Sequence, residues 1–249
     1  MSLFKNLTTE GMEEAQDRLG GFSVFETDVY AGKLKVAYAG QSEGGARNVT
    51  LVMDFGGREY RETIYITNKK GENFFLNKEN KKVALPGFTT VDDLCQVTTD
   101  KGLADQNTED KVLNIYDREA GKEVPKSVPV LTELTDKDVL VAILKSTVDK
   151  TEKQGNDYVP TGESREENSI EKIFHPTLQV TVVEAKAGKS QGEFITAWVG
   201  RNKGKTRDKR QNKGSDARQG RPGANSGPPQ AGQSGGVRKS LFGGGAQAA

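Results

Sequence analysis

With 249 residues the chain has room for one large domain or two small ones, yet 33% hydrophobic content and a mean hydropathy of −0.68 are low for a chain packed throughout. The net charge of +1 hides an asymmetry: residues 201–249 hold eleven Lys and Arg against only Asp208 and Asp216, which describes an acidic body followed by a basic tail. One cysteine, Cys95, and one histidine, His175, exclude a disulfide within the chain and a Cys/His zinc site, and they favour a reducing compartment.

The N-terminal stretch MSLFKNLTTEGMEEAQ has no apolar run of the signal-peptide kind, and no segment reaches the length of a membrane span. A soluble, cytoplasmic protein with no membrane contact is expected. From Phe22 to Ala39, FSVFETDVYAGKLKVAYA alternates as one long strand, with Gly32 placed as a bulge that bends it so that it serves two sheet halves. Next, NVTLVMDF puts Val49, Leu51, Met53 and Phe55 on one face. A Gly56–Gly57 turn leads into REYRETIYIT, which completes a three-strand meander.

The segment GFTTVDDLCQVTTDKGL predicts a short amphipathic helix that starts at Thr89 and Thr90, carries Val91, Leu94 and Cys95 on its apolar stripe, and stops at Gly102. Cys95 reads as core packing. Strand signals return in KVLNIYD, in VPKSVPVL after the turn REAGKE, and in DVLVAILKSTVDK over 138–150. Residues 151–172 are polar and predict a surface insertion, TLQVTVVEAK predicts a strand, and GEFITAWVG closes the folded body near residue 199. The order of strands, one helix, then strands predicts a mainly β fold: a five-stranded oligonucleotide-binding (OB) barrel, closed to remove its edges, over 1–199. Residues 200–249 are Gly-rich, charged and nearly without apolar side chains, so a flexible basic tail is expected, ending in the small apolar tip VRKSLF.

The most informative chemistry lies in residues 58–75, REYRETIYITNKKGENFF. A period of two puts Tyr60, Ile64 and Ile66 on one face and Arg61, Thr63 and Tyr65 on the other. Aromatic rings stack on bases while Lys and Arg track phosphates, so Arg61, Thr63 and Tyr65, followed by Lys69 and Lys70, suit a single nucleic-acid strand. Lys33 and Lys35, opposite the apolar Leu34, Val36 and Tyr38 of the long strand, add to this, and Arg201, Lys203 and Lys205 begin the basic stretch that reaches further phosphates. The same residues also suit an ordinary solvated β-face. In the tail tip, Leu241 and Phe242 with Arg238 and Lys239 are suited to insertion into a partner's groove with an acidic rim.

Three other patterns carry less. GRNKGKT has three residues between its glycines where a phosphate-binding loop needs four, and no apolar helix follows it. Glu184-x-Lys186 at the end of the predicted strand resembles the acid and lysine of metal-dependent nucleases, with Asp157 the nearest further acid, and a nuclease stands as an alternative. His175 precedes Pro176 in a turn and lacks a recognisable nucleophile partner. No cofactor or metal is expected.

Four segments carry a wider resemblance: LFKNLTTEGMEEAQDRLGG, FSVFETDVYAGKLKVAYAGQSEGGARNVTL, YITNKKGENFF and EFITAWVGRNKGKTRDKR. Together they resemble the single-stranded-DNA-binding proteins of tailed bacteriophages, most closely the schitovirus group. The resemblance implies an OB-type fold, protection of single-stranded DNA during phage replication and recombination, and recruitment of replication, recombination or transcription proteins in the host cytoplasm. It implies DNA contact on residues 58–67, hence at Arg61 and Tyr65. Many such proteins end in an acidic tail, whereas this one ends basic. A tail-mediated interaction protein that recruits a polymerase is the second alternative.

Overall fold

The computed structural model describes residues 24–117, 120–155 and 157–210. In chain order its elements begin with β1 (Asp28–Gln41), β2 (Arg47–Phe55), β3 (Arg58–Tyr65), a small hairpin of β4 (Phe74–Leu76) and β5 (Lys82–Ala84), and helix α1 (Pro86–Thr99). They continue with β6 (Thr108–Asp117), β7 (Lys122–Leu131), β8 (Lys137–Gln154), β9 (Asp157–Phe174), α2 (Val182–Lys186), α3 (Phe194–Asn202) and β10 (Thr206–Asp208). The fold is mainly β, and every strand pairing is antiparallel except that of β10 with β8.

β1 organises the sheet. Its first half, Asp28–Leu34, pairs with β8, and its second half, Lys33–Gln41, pairs with β2, so one strand does serve two sheet halves. The irregularity that allows this falls at Lys35, between Leu34 and Val36, and not at Gly32. Gly32 has a different use: a Cβ there would collide with the Asp54 carbonyl and the Phe55 ring, so its missing side chain lets β1 and the end of β2 approach. β2 and β3 form a hairpin with two loop residues, Gly56 and Gly57, both at positive φ, the turn that matches strand twist.

Val49, Leu51, Met53 and Phe55 are all buried, and with Leu34, Tyr60 and Ile64 they form the sheet side of the core. Val91, Leu94 and Cys95 of α1 close over them, together with Ile143, Ile170 and Ile173 of β8 and β9. Cys95 is therefore core packing, and burial pushes its thiol pKa up.

α1 begins earlier than expected. Pro86 opens its first turn without a side-chain cap, while Thr89 and Thr90 lie inside and return their hydroxyls to the carbonyls of Leu85 and Pro86. The helix ends at Asp100, which takes the left-handed conformation at φ 58° two residues before Gly102.

Four further expectations are corrected. The sheet is not closed: its main path runs β10–β8–β1–β2–β3, with β9 on the other edge of β8, and β3 and β9 share no ladder. At that seam Glu62 of β3 accepts the Ile170 N–H of β9 at 2.8 Å, and α1 packs across the gap. The polar stretch 151–172 is no loop but most of a long β8–β9 hairpin arm, paired from Leu140–Phe174 out to Gln154–Asp157. An arm solvated on both faces needs no apolar alternation, which is why its sequence reads as a loop.

The expected strand 177–186 is instead a turn followed by α2, whose Thr181 and Glu184 form a capping box. Finally, residue 199 lies inside α3. α3 packs Ile195, Trp198 and Val199 over Val29, Leu140, Ala142 and Phe174 on the outer side of the sheet, and β10 then joins β8. The first eleven residues assigned to the basic tail, 200–210, are thus laid on the body. No helix among the described residues is long and apolar enough to cross a membrane.

Candidate nucleic-acid interface

The register of the β2–β3 hairpin fixes which side chains share the outer face. Arg61 lies opposite Val52, Thr63 opposite Thr50 and Tyr65 opposite Asn48. Across β2, Tyr38 and Gly40 of β1 continue the last two rows. Tyr60 and Ile64 point into the core, as the period-two pattern expects, whereas Tyr65 keeps 54% of its surface exposed. The hydroxyls of Thr50 and Thr63 bond to each other at 2.8 Å, which stiffens the middle of the face.

The two ends of this face differ in charge. At the β2–β3 turn the cations are already partnered. Lys35 lies 3.6 Å from Glu59 and 4.0 Å from Asp54, and Arg61 lies 3.4 Å from Glu59. Lys33 meets Asp138 at 2.9 Å, and that hydrogen bond holds its ammonium pKa above the ordinary value. At the opposite end Tyr65 is followed by the turn that carries Lys69 and Lys70, and Arg47 precedes Asn48 in β2, so it alternates to the Val49 side of that strand; all three cations are exposed and none is in an ion pair among the described residues.

Their backbones are tied together. Arg47 N–H donates to Thr67 Oγ1 at 2.8 Å, and the N–H groups of Ile66 and Thr67 both donate to the Arg47 carbonyl. Asn68 Oδ1 accepts from the N–H of Lys70 and Glu72, fixing the Lys69–Lys70 turn. Gly87 at the start of α1 abuts the Tyr65 carbonyl so closely that a Cβ would collide with it. In the sequence Arg47 is marked only as a basic residue at the point where GGAR enters a strand.

Arg201, Lys203 and Lys205 do not join this cluster. Lys203 pairs with Asp28 at 2.8 Å, which raises its pKa, and the Lys205 carbonyl accepts from the Thr27 hydroxyl at 2.6 Å. Lys203 and Lys205 are thus tied to the N-terminal end of β1 through Asp28 and Thr27, whereas Tyr65 pairs with Asn48, which in turn pairs with Gly40 at the C-terminal end of β1. The expected interface is thus two separate places. Arg238, Lys239, Leu241 and Phe242 lie outside the described residues.

The Glu184-x-Lys186 pattern is built differently from a nuclease strand end. Glu184 sits on α2, 8% exposed, with both carboxylate oxygens engaged. Oε1 accepts the N–H groups of Glu193 and Phe194 at 2.9 and 2.8 Å, and Oε2 accepts the Thr181 N–H at 3.0 Å and its hydroxyl at 3.3 Å. Burial alone would raise its pKa, but these donors outweigh it and hold the carboxyl below its usual range. No group of three or more His, Cys, Asp and Glu that would hold a metal ion occurs among the described residues. His175 braces its own turn: Nδ1 accepts the N–H of Thr177 and of Leu178 at 3.2 and 3.0 Å, and burial lowers its pKa.

No protein-family model matches the chain, and a search of the curated proteins finds no match either.

Proposed function

We propose that this chain is a non-catalytic single-stranded-DNA-binding protein that coats and protects DNA during phage replication and recombination and recruits partner proteins through its tail tip. The observation that carries the reading is the open end of the β2–β3 face, where the exposed Tyr65 ring ends its strand and is followed by Lys69 and Lys70, two exposed cations that make no ion pair among the described residues. A ring of this kind accepts any base by stacking, and flanking cations take the phosphates, so binding is nearly independent of sequence.

The strand order supports an OB-like reading. The order β3–β2–β1–β8–β9, with α1 lying in sequence between β3 and β8 and packing across the β3–β9 seam, is that of a partly open five-stranded Greek-key barrel. In such barrels the face of the second and third strands is a usual place for oligonucleotides.

The test is binding of labelled oligothymidylate and of duplex DNA across a salt series, with and without magnesium. Single strands are expected to bind more tightly and to stay intact, with log affinity falling by about 0.7 per phosphate contacted for each decade of salt. Preference for duplex, or cleavage with magnesium, contradicts the proposal. Within that assay Tyr65→Ala is expected to weaken binding by about 1–3 kcal/mol, one stacked base. Lys69→Ala should flatten the salt slope, whereas Lys33→Ala should leave it unchanged, because Lys33 already has Asp138 as its counter-ion.

A further inference from the structure

The basic residues laid on the body beyond 199 border a cleft that the proposed DNA face does not use. It has a volume of about 330 Å³ and lies between α3 and β9, lined by Phe194, Trp198, Arg201 and Arg207 with Glu171 and Lys172. Its chemistry is specific. Phe194 leaves 44% of its surface exposed while its ring rests on Phe174 at 6.4 Å, so a flat apolar surface is held in a fixed position. Arg201, on the same helix, is exposed and makes no ion pair among the described residues. Glu171 is the extra residue of a bulge in β9, where Ala142 pairs with Lys172 and Ile143 with Ile170. Its carboxylate accepts from Trp198 Nε1 at 2.9 Å and pairs with Arg207 at 2.9 Å.

Lys172 is committed to Asp93 at 3.3 Å. With Glu171 set against Arg207, Arg201 leaves the cleft with a surplus of positive charge next to an aromatic face. We infer that the α3–β9 cleft is a second binding site for a nucleoside phosphate unit, with a base stacked on Phe194 and the phosphate held by Arg201 and Arg207, and that its occupant is a single nucleic-acid strand.

This inference rests on the proposed function for its occupant, but its geometry is independent of the β2–β3 face. One protein molecule would hold two parts of one strand, and the second contact would act at the high effective concentration set by the first.

The protein carries its own reporter. Trp198 is the only tryptophan, it lines this cleft, and its indole N–H donates to the carboxylate that holds Arg207. A phosphate that draws Arg207 away from Glu171 changes the indole's environment, whereas a ligand on the Tyr65 face does not touch it. The experiment follows Trp198 emission and, in parallel, the anisotropy of a labelled oligothymidylate, on the full chain and on a Phe194→Ala/Arg201→Ala double variant; thymidine monophosphate is the second probe. Both substituted side chains are exposed, and an unchanged melting temperature verifies the fold.

The expected result is a saturable change in Trp198 emission that tracks anisotropy, with the double variant binding long oligothymidylate about tenfold or more weakly, the effect of losing one stacked base and a charge contact. Oligothymidylate that binds by anisotropy with Trp198 unmoved, or a double variant that binds like the wild type, overturns the second site and leaves the proposed function standing. No binding of either probe overturns both. Saturation of the Trp198 change by thymidine monophosphate at lower nucleotide concentration than by the oligomer overturns the strand as occupant.

Discussion

Tyr60→Ala is expected to lower the unfolding free energy by about 3–5 kcal/mol, the range for truncating a fully packed aromatic side chain. Tyr65→Ala, on the other face of the same strand, should change it by no more than about 0.5 kcal/mol. Tyr60 is 6% exposed, and its ring stands edge-on to Phe25 at 5.6 Å and tilted against Phe55 at 6.2 Å. Its hydroxyl donates to Glu62 at 2.7 Å, and Glu62 in turn accepts the Ile170 N–H across the open seam. Truncation therefore empties part of the core and also removes one of the two donors to a half-buried carboxylate.

Burial raises the Glu62 pKa, while Tyr60 and Ile170 partly counter it. The folded protein thus keeps this proton at a pH where the unfolded chain has lost it, and stability falls as pH rises from the ordinary carboxylate pKa to the folded one. Losing the Tyr60 donor should extend that window upward. Urea midpoints for both variants between pH 4 and pH 8, about the span in which a raised carboxyl titrates, check the assignment. Loss of stability in Tyr65→Ala with Tyr60→Ala unaffected would mean that the two faces are exchanged.

This pair of tyrosines was legible in the sequence because a half-buried antiparallel strand must alternate, and REYRETIY does so between two clear turn signals. Helix α3 was legible in principle. Phe194 and Trp198, and Ile195 and Val199, are each four residues apart, the spacing of one helical face, and both pairs face the outer sheet layer. α2 also announced itself, since Thr181-Val-Val-Glu184 is a capping box, yet the β-branched run TVV argued for a strand and period alone cannot decide over so few residues.

What no local pattern contained was pairing at a distance. Lys33 and Asp138, or Lys203 and Asp28, become partners only when β1 meets β8 and α3 crosses the sheet, and it is this pairing that separates committed cations from available ones. Charge count along the chain treats Lys33 and Lys69 alike. The fold does not.

Glu184→Gln is expected to destabilise the protein by about 2–4 kcal/mol at pH 7, as two or more buried donors lose their acceptor. The substitution is nearly isosteric, so the effect isolates hydrogen bonding from packing. Each oxygen of Glu184 faces two donors, Glu193 and Phe194 N–H on one side and the Thr181 N–H and hydroxyl on the other. Whichever way a glutamine amide is turned, its NH₂ group points at a pair of donors, and either the start of α3 or the cap of α2 is left unsatisfied. Because α3 carries Phe194, Trp198 and Arg201, the same change should loosen the α3–β9 cleft before the sheet itself unfolds.

The pH dependence follows from the lowered pKa of Glu184. Its contribution is fully present above the unfolded carboxylate value of about 4.3 and is lost as pH falls through the folded value below it. The gap between wild type and Glu184→Gln should accordingly be widest near neutrality and shrink below about pH 4. Urea unfolding followed by Trp198 emission at neutral and acid pH measures both quantities with one probe. A gap that is absent at pH 7, or that widens in acid, would show that Glu184 is not the hinge on which α2 and α3 are joined.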